Sequence, residues 1–273
     1  MNGQLVEKQL AFHITTNCTL NCALCATLTP DYKKHHIARH TPFKQIVQEI
    51  KGVFEIYDFI EDITFSGGEP MLHPDLEKIV DECMKYSDQF ANLRIFTNGT
   101  ILPSDLLLSQ MKQYRGKLSI VIDHYGPDLS VKAEQIVQTL ENEGLICRVN
   151  RYYGQDQYYG GWVNYGSPSE YRGYTQQQLE EVYQHCHLAQ YRCPGVFNGK
   201  LTNCSWALFG TDRGYMPLPE DEKQLINLLD SSIPLDEKKA IAMEFGKHPL
   251  WACQYCNGFD PEHSERFPAG EQL

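Results

Sequence analysis

Cys18, Cys22 and Cys25, in the segment TTNCTLNCALCATL, have a C-x3-C-x2-C spacing that gathers three thiols in one short loop. Such a loop can hold three corners of an iron–sulfur cube. A [4Fe–4S] cluster held wholly by protein takes four cysteines, so a three-cysteine loop leaves one iron free to bind something else. An open iron points to chemistry rather than to structure. A second run, FSGGEP (Phe65 to Pro70), follows an apolar strand. Its two glycines, Gly67 and Gly68, let the backbone approach a ligand closely, and Glu69 offers an acceptor at the strand's carboxyl end.

More cysteines lie towards the end of the chain: Cys186, Cys193, Cys204 and the pair Cys253-x2-Cys256. Five thiols offer four ligands and one spare. By spacing the four are Cys186, Cys204, Cys253 and Cys256; the hairpin CPGVFNGKLTNC instead sets Cys193 opposite Cys204. Structural zinc is the alternative to a cluster here, since four cysteines around a hairpin and a C-x2-C are also a zinc-ribbon pattern. The spare, Cys193 or Cys186, is either a hydrogen-atom donor near the reacting centre or a buried thiol. Cys83 and Cys147 sit inside apolar patterns and read as core packing.

The three-cysteine loop behind a strand (KQLAFHITTN, Lys8 to Asn17), followed by FSGGEP, resembles the radical S-adenosylmethionine (SAM) superfamily. Leu24 stands where that family usually carries an aromatic residue. The resemblance implies a partial (β/α)6 TIM-like barrel, with a [4Fe–4S] cluster on Cys18, Cys22 and Cys25 whose open iron chelates SAM. It also implies reductive cleavage of SAM to a 5′-deoxyadenosyl radical that takes hydrogen from a substrate. Gly67, Gly68 and Glu69 then hydrogen-bond the SAM ammonium. Polar residues at later strand ends (Thr97, Asn98, Asp123, Arg148 and Asn150) become candidates for its ribose, carboxylate and adenine. Cys186-x12-Gly199-x4-Cys204 with Cys253-x2-Cys256 is similar to the SPASM/Twitch domains that add an auxiliary [4Fe–4S] cluster, in the shorter Twitch form. A flavodoxin- or ferredoxin-type electron donor follows from the same resemblance.

Three functions are consistent with these residues. The first is oxidation or epimerisation of a small polar, sugar-like metabolite. The second is maturation of a ribosomally made peptide by cross-linking or epimerisation. The third is a non-catalytic zinc or iron–sulfur structural protein. The cluster loop starts at residue 18, leaving no room ahead of it for a leader-binding domain, which tilts the expectation towards a small substrate.

These residues must be positioned by a core, and 273 residues with 42% hydrophobic content supply one. A net charge of −11 opposes nucleic-acid binding. No signal peptide or apolar run of membrane-spanning length is present, so the two spaced clusters among the ten cysteines read as metal ligands in a reducing cytoplasm rather than as disulfides. The basic stretch Lys33 to His40 reads as a solvated loop.

Strand and helix patterns alternate: strands at 10–15, 62–65, 93–97, 118–123 and 146–151, and helices at 43–57, 75–86, 104–114 and 131–143. This order predicts right-handed βαβ units and a parallel sheet; the sixth strand that the resemblance implies is placed near Gly161 to Asn164. The Tyr- and Gly-rich stretch from Tyr152 to Tyr174 reads as a linker over the barrel or a stacking surface at its mouth. Residues 1–174 are thus expected to form the barrel and 175–273 the auxiliary-cluster domain, with a hairpin through Asn198-Gly199.

Overall fold

The structure, a computed structural model, describes residues 4–158, 162–219 and 222–273. In chain order the elements are β1 (Val6–Thr15), α1 (Thr29–Lys34), α2 (Phe43–Ile56), β2 (Phe59–Gly67), α3 (Leu76–Met84), β3 (Phe90–Thr97), α4 (Asp105–Gln113), β4 (Leu118–His124), α5 (Ala133–Asn142) and β5 (Cys147–Arg151). The second region adds α6 (Gln176–His185), α7 (His187–Tyr191), β6 (Gly195–Phe197), β7 (Lys200–Thr202), α8 (Ser205–Asp212), β8 (Ile226–Asn227) and α9 (Leu235–Glu244). Among the described residues no helix is long and apolar enough to cross a membrane.

Among the described residues the eight strands form one open sheet in the order β5-β4-β3-β2-β1-β6-β7-β8. β1 to β5 are parallel neighbours, as the alternation predicts. β1 lies near the middle, and Leu10 to Thr15 are buried without a break, the signature of a parallel strand covered on both faces. One face carries the main core, in which Phe12, Ile14, Phe65, Ile95 and Ile122 meet Ile46, Ile50 and Val53 of α2, Ile79 of α3 and Ile136 of α5. Cys83 is fully buried in that core and Cys147 packs against its edge. The opposite face carries His13, Ser66, Phe96, Asp123 and Asn150, because successive side chains alternate across a strand.

The sixth parallel strand is not where the sequence suggested. Gly161 lies outside the described residues, and Trp162 to Asn164 are not in a strand. Instead β6 adds to the free edge of β1, parallel to it, with Gly195 beside Ala11 and Val196 beside Phe12. The apolar run Gly195–Phe197 is buried throughout, whereas the described residues of the Tyr/Gly stretch hold no such run. β7 returns through Asn198 (φ 48°) and Gly199 (φ 79°), both left-handed as a two-residue hairpin turn of this twist requires. Residues 175–273 therefore extend the barrel's own sheet.

The basic stretch after the cysteine loop is not solvated throughout. Lys33 and Lys34 close α1, and Arg39 reaches Asp212 of α8 at 2.8 Å. Asp212 also accepts from the Tyr32 hydroxyl at 2.6 Å and from Asn198 Nδ2 at 2.8 Å. Burial alone would push its carboxyl up, but these donors outweigh it and hold the pKa below the usual range. Arg213 pairs with Asp31, to which the Tyr215 hydroxyl also donates, at 2.8 Å. The segment following the cysteine loop is thus bolted to α8.

Candidate active site and metal centres

The three-cysteine loop leaves the carboxyl end of β1, and the glycine motif of β2 docks along it. The Gly68 N–H donates to the Thr15 carbonyl and the Glu69 N–H to the Asn17 carbonyl, each at 2.7 Å. A Cβ at Gly67 would stand 2.2 Å from the Thr15 oxygen, and one at Gly68 would stand 2.1 Å from the Asn17 oxygen. Only glycine allows this approach.

Glu69 is fully buried and turns inward. Its carboxylate accepts from the Met71 N–H at 3.0 Å and the Asn98 N–H at 2.8 Å. Burial raises its pKa to about 7, these backbone donors working against the rise. Glu69 thereby ties β2 to the end of β3. There Asn98 Nδ2 donates to Thr19 Oγ1 at 3.0 Å and lies 3.5 Å from the Cys18 sulfur. Cys25 Sγ has Thr27 Oγ1 at 3.2 Å.

Cys18, Cys22 and Cys25 open onto a cavity of about 330 Å³ whose lining includes Ser66, Gly67, Gly68, Thr97, Asn98 and Asp123. Its far wall is aromatic. Tyr125 stacks on Tyr152 with centroids 5.6 Å apart and meets Trp162 edge-on at 5.7 Å; Tyr152, Trp162 and Tyr165 line the cavity with it. Asp123 accepts from Asn150 Nδ2 at 2.9 Å, and burial raises its carboxyl to about 6. Asn150 thus acts through Asp123. Arg148 stands apart: it is exposed and lines a separate recess with Asn92, Arg94 and Lys117. Two residues earlier on the same face, it sits a layer nearer the sheet's amino end. Tyr125 was missed in the sequence, although period two places it on the face of Asp123.

A larger groove of about 830 Å³ adjoins this cavity, sharing Cys22, Leu24, Cys25 and Tyr165 with it. Its walls are mainly apolar, with Leu28, Pro30, Pro168 and Trp206, and Lys33 and Lys34 also line it.

Beneath the cavity His13 is buried between Ser66 Oγ, 3.0 Å from Nδ1, and Ser205 Oγ, 2.8 Å from Nε2. Burial lowers its pKa to about 4, so the ring is neutral.

Cys186, Cys204, Cys253 and Cys256 all pack against a satellite core of Val163, Tyr165, Trp206, Leu250 and Phe259. They feel one another: after burial, the charges that would raise the Cys256 thiol are those of Cys204, Cys253 and Cys186. Cys193 belongs to neither group. The β6–β7 ladder, extended, would place it opposite Cys204, but the ladder ends at Gly195 and Thr202. Cys193 has Glu7 as its charged neighbour, level with the amino half of β1.

Among the described residues no three His, Cys, Asp or Glu side chains converge closely enough to hold a single metal ion. Burial pushes Cys18 and Cys204 up to about 11 and Cys22 and Cys253 to about 12. Ligation by these thiols would therefore release protons.

The profile of the radical SAM superfamily matches residues 12–142. Residues 12–142 are a radical SAM domain. Over 169 residues the chain is 24% identical to an S-adenosylmethionine-dependent nucleotide dehydratase of Flammeovirga pacifica, covering 55% of each. It spans between about a quarter and about half the length of the curated relatives it matches. Its fold is similar to that of anSMEcpe with bound AdoMet (TM-score 0.53, 13% identity, 99% of this chain and 90% of that one). It is also similar to Streptococcus suis SuiB bound to precursor peptide SuiA (TM-score 0.55, 12% identity, 92% and 70%). A radical SAM domain takes a [4Fe–4S] cluster and SAM, and the donor set fits them: three thiols, each beside a polar group, on the wall of a cavity with hydroxyl, amide and carboxylate groups.

Proposed function

We propose that the chain is a radical SAM enzyme in which Cys18, Cys22 and Cys25 hold the SAM-binding cluster and Cys186, Cys204, Cys253 and Cys256 hold a second, Twitch-like one. The observation that carries this reading is the contrast in setting, three thiols opening onto a cavity and four packed on an apolar core. When bound, the cluster and SAM supply reductive cleavage to a 5′-deoxyadenosyl radical that takes hydrogen from a substrate carbon.

The chain's own residues shape and dry the site. Gly67 and Gly68 bring main chain to the cavity wall, Glu69 holds Asn98 in place, and Asp123 offers an acceptor to hydroxyl groups. Tyr125, Tyr152 and Trp162 exclude water from the far side. A flavodoxin- or ferredoxin-type donor supplies the electron.

The substrate proposed is a small polar, sugar-like metabolite, oxidised or epimerised. Ser66, Asn98 and Asp123 give the cavity the hydrogen-bonding character that hydroxyl groups need, and a nucleotide, named in the relatives, contains such a sugar. A peptide is the second reading, favoured by the apolar groove of Leu24, Leu28, Pro30, Pro168 and Trp206.

The test is an iron and zinc count on anaerobically purified protein, with an assay for 5′-deoxyadenosine after dithionite reduction. About eight irons per chain, as two [4Fe–4S] clusters require, with SAM cleavage would support both sites. About four irons with one zinc would keep the radical chemistry and favour redox-neutral outcomes, dehydration among them. A reduced cluster that cleaves no SAM would defeat the proposal. Sugars, nucleotides and peptides are then ranked by how strongly each accelerates 5′-deoxyadenosine release.

A further inference from the structure

The segment Ala269–Leu273 runs antiparallel beside the three-cysteine loop. Cys22 and Gln272 form a β-bridge. The Ala23 N–H donates to the Glu271 carbonyl at 2.6 Å, and the Leu273 N–H to the Asn21 carbonyl at 2.9 Å. Gly270 adopts φ +72°, and a Cβ there would come within 2.9 Å of the Tyr125 ring. The segment is therefore pressed against the cavity wall while it pairs with the loop.

Within this strap the Gln272 side chain is fully engaged. Its Oε1 accepts from the Asn21 N–H at 2.7 Å. Its Nε2 donates to the Gly270 carbonyl at 2.5 Å and to the Cys22 sulfur at 3.2 Å. The amide has no freedom to flip, because a backbone N–H can only donate and a carbonyl can only accept. The nitrogen must face the sulfur. Asn98 and Thr27, beside the other two thiols, belong to the domain's first hundred residues; the donor to Cys22 comes from 250 positions away in the chain.

We propose that Gln272 is a positioning residue of the SAM-binding cluster, which fixes the Cys22 sulfur and raises the cluster's reduction potential. This rests on reading Cys18, Cys22 and Cys25 as cluster ligands. On one-electron reduction negative charge spreads onto the ligand sulfurs, so an N–H aimed at one of them stabilises the reduced state more than the oxidised. Gln272 itself is exposed, so substituting it leaves the core intact.

The experiment is an EPR-monitored redox titration of the full chain, reconstituted anaerobically, as wild type, Gln272→Leu and Gln272→Glu. The signal followed is the one whose shape changes when SAM is added, which singles out the cluster with an open iron. Gln272→Leu removes the donor without adding charge. It should lower the reduction equilibrium about tenfold, or about 59 mV for one electron, with iron per chain unchanged. Gln272→Glu should lower it at least as far. An unchanged midpoint at full iron content would overturn the proposal, as would iron loss with the remaining cluster titrating at the wild-type potential, which would make Gln272 a clasp only. A wild-type protein without any SAM-sensitive cluster would instead defeat the underlying reading before the variants are compared.

Discussion

The two cysteine groups are built from the same side chain and differ in what surrounds it. Cys18, Cys22 and Cys25 lie on the wall of a cavity among hydroxyl, amide and carboxylate groups. Cys186, Cys204, Cys253 and Cys256 lie against Trp206, Leu250 and Phe259. Metal sites that do chemistry keep a coordination position open, and closed sites hold structure or store electrons. The number of thiols and the polarity of their surroundings change together here. Tyr165 lines the open cavity and packs in the satellite core, so the two environments share a wall one side chain thick.

Cys22→Ala tests the open site most severely: 5′-deoxyadenosine production should vanish, with about four irons lost per chain. Residual SAM cleavage would break the comparison outright. Next in size, Gly68→Ala drives a Cβ into the Asn17 carbonyl. It should cost more than about 4 kcal/mol, in the range reserved for severe core damage, and appear as a fall in Tm and soluble yield.

The closed site is sharpened by a pair of variants. Cys256→Ala should remove one cluster's iron, or one zinc, while SAM is still cleaved, and Cys193→Ala should leave the metal count unchanged. Loss of metal in Cys193→Ala would reassign the fourth ligand.

The smallest effect concerns His13, which underlies the open site. Its folded pKa of about 4 lies below the ordinary 6.5, so the unfolded chain takes up the proton first. Stability is whole above pH 6.5 and is lost as the pH falls towards 4, by up to about 1.4 kcal/mol per unit. Urea midpoints at pH 7 and 5.5 should converge in His13→Asn.

Much of this was legible in the sequence. Five strands and the four helices between them fall within a few residues of their expected bounds, because apolar periodicity and Gly or Asn punctuation dominate in a parallel sheet. The Asn198-Gly199 turn was equally plain, since only left-handed backbone makes that hairpin. Less visible was anything depending on which face or distant segment a side chain meets. Glu69 turns inward to the backbone N–H groups of Met71 and Asn98, and Arg148 lies one layer below the cavity. The β6–β7 ladder stops short of Cys193 and Cys204. The Gln272 contact with Cys22 joins residues that no local pattern connects.

β6 seats on the bare edge of β1, which has a consequence for synthesis. While the first 190 or so residues emerge from the ribosome, β1 has its partner β2 but presents an unpaired edge on the other side, the exposure that invites strand-to-strand aggregation. The strand that ends at the cysteine loop is therefore completed by residues translated long after it. Cluster delivery to that loop should accordingly follow translation, and nascent chains halted before Gly195 should need a chaperone's cover to stay soluble.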